Sequence, residues 1–110
     1  MVTVIWGLTT FGVKMAQISN TKKPPQFDGW NYPNWKVKMT TYIKSIDRKV
    51  WRVVETKIEI EDPENPITVE EVLLQNNGIA LIAIHDAIDE RIFEQIKNIE
   101  MAHEAWKKLE

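Results

Sequence analysis

One stretch of this chain repeats its apolar residues with a helical period, and that narrows the possible folds more than any other feature. After Pro33, Trp35, Met39, Tyr42, Ile43 and Ile46 follow at i, i+4, i+7, i+8 and i+11, an amphipathic stripe. Pro33 suits a first helical turn, where its missing N–H is not needed. Lys36, Lys38 and Lys44 fall off the stripe, on the side expected to meet solvent. Further starts and faces succeed it. Asp47 is placed to cap a short second helix carrying Val50, Trp51 and Val54. Thr68 and Glu71 have the spacing of a capping box, with Ile67 and Val72 at the positions of a hydrophobic staple. That third helix is expected to run to about Ala87. Ile79–Ile84 is apolar all round, which predicts the most buried helix of the fold. Gly78 within it predicts a close-packed neighbour or a kink. Asp89 heads a fourth helix with Ile92, Phe93 and Ile96. A fifth carries Met101 or Ala102, Ala105, Trp106 and Leu109.

Between these helices lie breakers. Pro24-Pro25 fixes two φ angles and removes two donors, giving an extended lead-in. Phe27-Asp28-Gly29 reads as an aromatic anchor and a tight turn. Lys57–Ile60 alternates polar and apolar residues like a short extended piece, and Pro63 and Pro66 then interrupt regular structure. The expected fold is all-α, a small bundle of four or five helices. Its core draws on Trp35, Ile43, Trp51, Ile84, Phe93 and Trp106. With 110 residues there is room for one small domain. We divide the chain into a flexible extension, residues 1–23, and a helical domain, residues 24–110. Met1 and Met15 remain alternative start sites. Val2–Val13 is mostly apolar, but no basic region precedes it and no stretch reaches the length of a membrane span.

Composition removes several chemistries. There is no cysteine, hence no disulfide, catalytic thiol or Cys-containing zinc site, and the chain fits a reducing compartment. His85 and His103 lack metal-ligand spacing and read as surface or half-buried imidazoles. The four glycines, Gly7, Gly12, Gly29 and Gly78, are too scattered for a phosphate loop. Asp62 with Glu64 and Asp89 with Glu90 sit where helix starts and loops want carboxylates. No catalytic constellation, cofactor motif or metal site emerges, and we read the chain as no enzyme. The formal net charge is −2, unevenly spread. Lys36–Lys57 holds seven basic and two acidic residues, and Glu59–Glu71 holds six acidic and no basic ones. Such a split can orient contacts between copies, or be two solvated faces.

Five tryptophans are many for this length. Trp35, Trp51 and Trp106 read as core. Trp30 lies in a loop and is freer. With Lys36, Lys38, Arg48, Lys49 and Arg52 it makes a candidate platform for RNA bases.

Residues 25–39, PQFDGWNYPNWKVKM, resemble the opening of copia-type retrotransposon Gag polyproteins, with the pattern P-x-F-x-G-x-N-Y-x-x-W-x-x-x-M. Phe27, Gly29, Asn31, Tyr32, Trp35 and Met39 carry the match. Asp47 and Trp51–Val54 resemble that family's D…L-W…V segment, and residues 79–109 its A-x-E-A-W-x-x-L run, through Ala102, Glu104, Ala105, Trp106 and Leu109. Met101 stands where the family usually has Thr, which predicts a lost helix cap worth about 1 kcal/mol. The resemblance implies an intracellular, cytoplasmic, capsid-like helical protein. Its partners would be itself or related Gag chains and, weakly, RNA, with no membrane and no small-molecule substrate. It also implies truncation, because family members continue through more helices to a zinc knuckle. The alternatives are an RNA-binding module on segment 36–57, a lobe that binds a partner peptide, or a non-functional relic. On the truncated reading, the apolar face of Ala105, Trp106 and Leu109 is covered either by the third helix or by a second copy. In the latter case it drives self-association.

Overall fold

In a computed structural model of the chain, residues 23–110 are described. They form five helices and no strand: α1 (Tyr32–Ile46), α2 (Arg48–Glu55), α3 (Thr68–Asp86), α4 (Glu90–Ile96) and α5 (Ala102–Lys108). The all-α expectation holds. The readings made on Val2–Val13 and Met15 lie outside the described residues.

Local chemistry sets most of the boundaries. Pro33 sits in the first turn of α1, as its geometry favours. The Asp47 carboxylate accepts the Lys49 N–H at 2.8 Å and the Asp89 carboxylate accepts the Ile92 N–H at 3.0 Å, so both predicted caps form. Residues 57–60 are extended but pair with nothing. Ile58 turns into the core there.

The start of α3 differs from expectation. Its cap is Ile67, one residue before Thr68, and Glu70 rather than Glu71 reaches back to accept the Ile67 N–H at 3.0 Å. Isoleucine has no side-chain acceptor, so only half of a capping box exists. The staple is absent as well, since Ile67 and Val72 are both exposed. Nor is α3 buried all round. Asn77, Ala80, Ala83 and Ile84 face inward, while Val69, Val72, Ile79 and Ile82 face out. The most connected helix is α2, which packs on α1, α3 and α5. Every inward position of α2, Val50, Val53 and Val54, is buried. Of the expected core, Trp35, Ile43, Ile84 and Trp106 are buried, and Trp51 and Phe93 are half-buried against it. Ile46, assigned to the buried stripe of α1, is exposed because the stripe outlasts the neighbours that cover it.

Two side chains bind the ends of the fold. Phe27 is buried, and its backbone joins the α3–α4 junction by donating to Ala87 O at 2.7 Å and accepting from Asp89 N–H at 3.3 Å. Asn77 is the one buried polar residue of the described core. Its Nδ2 donates to Glu100 O at 2.8 Å, and its Oδ1 accepts the Ala102 N–H at 2.7 Å. The cap that Met101 cannot supply to α5 therefore comes from α3, across the fold. Asn77→Leu would leave that buried N–H without a partner, and we expect a loss of about 1–3 kcal/mol in urea unfolding.

Gly78 is neither a close contact nor a break. A Cβ built there meets no atom within 4 Å, and α3 continues through it. Gly78→Ala should then raise unfolding stability by about 0.5–1 kcal/mol, since only the conformational cost of glycine is removed. An unchanged or lowered urea midpoint would refute this.

Candidate functional site

The residues of the three motif segments converge in one aromatic cluster. Phe27 stacks on Trp35 with centroids 4.7 Å apart, and Tyr32 meets the edge of Phe27 at 5.7 Å. Trp35 lies 5.5 Å from Trp106, and Trp106 lies 5.6 Å from Trp51 at a near-perpendicular angle. Each contact adds to area burial through the ring quadrupoles. The Trp35 indole N–H donates to Pro25 O at 2.8 Å, so the one polar atom of a buried ring is satisfied by the lead-in. Met39 and Ala105 are fully buried, and Leu109 packs against the same cluster. The turn that brings Phe27 back to α1 uses two left-handed residues, Gly29 at φ 94° and Asn31 at φ 54°. These are the residue types that adopt such angles most readily.

This geometry settles where the C-terminal face goes. Trp106 is 5% exposed and Ala105 is fully buried, covered by α1, α2 and α3 of the same chain. The expectation that Trp106 drives association between copies is corrected: the residue is spent inside the monomer. Tyr32 is half-buried with a hydroxyl that finds no partner. Burial, and secondarily the charge of Glu110, raises its phenol pKa.

The basic residues do not form one surface. Lys36 pairs with Glu110 at 3.5 Å and lies over the Tyr32 ring. Trp30, 81% exposed, shares a shallow pocket of about 300 Å³ with Lys38, Asn34 and Pro25. Lys49 and Arg52 instead rim a groove of about 340 Å³ whose apolar wall is Val69, Val72 and Leu73, with Asn76 beside it. Arg48 is exposed on α2 and lines neither. On the acidic side, Glu59, Glu61 and Glu70 gather around Ile60.

Both histidines are structural. His103 Nδ1 lies 2.8 Å from Val54 O, which places its proton on Nδ1 and ties α5 to α2. His85 sets its edge against Phe93 at 5.0 Å. Among the described residues no three His, Cys, Asp or Glu side chains converge as metal ligands, and no helix is long and apolar enough to cross a membrane. Sequence reading missed Asn77, which it left unassigned in the middle of a helical pattern. A polar residue on the inward face, two turns before Ile84, was the available signal.

No family model, curated protein or solved structure matches the chain.

Because Trp106 joins α5 to Trp35 and Trp51, Trp106→Ala should cost about 3–5 kcal/mol of stability. The check is a denaturant midpoint that falls steeply while the folded fraction keeps the association state of the parent chain. Unchanged stability with lost association would refute the assignment.

Proposed function

We propose that this chain is an intracellular structural protein of the copia-type Gag kind, acting by association with copies of itself rather than by catalysis. The observation that carries this reading is the outer face of α3. Val69, Val72, Ile79 and Ile82 lie along one side of that helix, with Val69 66% and Ile82 63% exposed. Full burial of such side chains stabilises by about 1.5–3 kcal/mol each, so a row of four left in water favours a covering surface. Two further points support the reading. The motif residues Phe27, Tyr32, Trp35, Met39, Trp51 and Trp106 build scaffold. The charge split gives a candidate association face some orientation: Lys49 and Arg52 flank Val69 and Val72, while Glu59 and Glu61 lie apart from them.

A partner peptide is the second reading, favoured by the basic-rimmed groove beside the same residues. Both readings use α3, and sedimentation separates them. With self-association, the weight-average mass rises toward about 100 μM, where an interaction of about −5.5 kcal/mol half-fills the dimer. Val72→Glu and Ile79→Glu should each return the chain to monomer without lowering its stability, because both side chains are exposed. A strict monomer at about 100 μM would leave the peptide reading in its place.

A further inference from the structure

Trp30 is the most exposed of the large apolar side chains in the described residues, and the fold takes trouble to keep it there. Its N–H is held by the Asp28 carboxylate at 3.0 Å, between left-handed Gly29 and left-handed Asn31. The turn thus fixes the backbone on both sides of a ring that touches little of the core. The pocket beneath it holds Asn34 and Lys38, at successive four-residue steps that put them on one side of α1. A second shallow pocket, of about 270 Å³, adjoins the first, because Pro25 and Lys38 line both. It adds Lys23, Tyr42 and Ser45. No carboxylate lines either pocket. The acidic residues at the two ends, Asp28 and Asp47, are occupied with the backbone N–H groups of Trp30 and Lys49.

We infer that this track along α1 binds single-stranded nucleic acid. Trp30 offers an open face for stacking one base, with half-buried Tyr42 at the other end. Lys38 at the middle and Lys23 beside it supply positive charge for the phosphates, and Asn34 supplies amide groups for a base edge or sugar. Aromatic faces interleaved with cations in a groove free of anions suit a strand whose bases are unpaired. From Asn34 to Ser45 the helix rises about 16 Å, room for a few successive nucleotides at about 3.4 Å per stacked step. The assignment differs from a general basic platform. Lys36, bound to Glu110, and Arg48, Lys49 and Arg52 on α2 lie outside the track. It uses residues remote from the α3 face and stands or falls independently of self-association.

The test is fluorescence anisotropy of a labelled oligouridine of about 12 nucleotides with the full chain, at about 50 and about 200 mM salt. A duplex of equal length serves as comparison. We expect binding that weakens as salt rises and prefers the single strand. Trp30→Ala and Lys38→Glu should each weaken it about tenfold or more. Lys107→Glu, the same charge change on exposed α5, should leave it within about twofold. Trp30 contributes little to the core, so the variant keeps its circular dichroism and the comparison stands. No binding at the lower salt, equal affinity for duplex, or a Trp30→Ala variant that binds like the parent would overturn the inference. So would loss of self-association in Trp30→Ala with oligonucleotide binding intact, which would assign the ring to a contact between copies.

Discussion

The stack of Phe27 on Trp35 is the contact from which the rest of this fold follows. It closes a loop of only eight residues, yet it decides where a long lead-in and two distant helices sit. With Phe27 on Trp35, the backbone of residue 27 reaches the α3–α4 junction and joins it by two hydrogen bonds. Pro25 O is carried over the Trp35 ring nitrogen. The other side of the Trp35 ring is then free to receive Trp106, which in turn meets Trp51. Four aromatic rings thus connect the lead-in, α1, α2 and α5. A chain this small buries a modest share of its surface, and large rings are an efficient way to raise that share per ordered residue.

The helices were legible where one residue carried the signal. Pro33, Asp47 and Asp89 each mark a helix start by a local constraint, a fixed φ or a carboxylate over the first turn, and tertiary context does not overrule it. The start of α3 was misread for an instructive reason. Thr68 and Glu71 have the right spacing, but Ile67 with Glu70 has it too, and the half-box that forms is the one in which Glu70 also approaches the Glu61 N–H at 3.4 Å. A neighbour distant along the chain broke the tie. The run Ile79–Ile84 failed differently. Apolar composition on all sides tells how a helix would like to be covered, but the number of covering helices is a property of the whole bundle. Here α2 and α5 cover one side only.

The same distinction governs the tryptophans. Trp35, Trp51 and Trp106 were readable as core because each lies on a periodic face. Trp30 was readable as free because it lies outside one. The track beside Trp30 could not be read, since it depends on Pro25 and Lys23 lying alongside α1, a consequence of the Phe27–Trp35 stack rather than of any spacing within α1. Asn77 was equally hidden. Its role exists only because the turn before α5 is delivered to the middle of α3, where an amide can serve one donor and one acceptor at once.

The two surfaces singled out above differ in the physics that would fill them. On α3, four aliphatic side chains present area without polarity. Any partner that removes them from water gains in proportion to that area, and salt acts only through the flanking Lys49 and Arg52. On α1, the area is small and the lysines and the amide matter more. Occupancy there would follow counterion release and ring stacking, which fall steeply with salt. The Phe27–Trp35–Trp106 cluster lies behind both. It buries the apolar side of α1 and draws α5 onto α2 and α3, so that Trp30 and Lys38 are left on one outer surface and Val72 and Ile79 on another. The residues that carry the family resemblance therefore act by positioning, and the surfaces that could meet a partner are made mostly of residues outside the motifs.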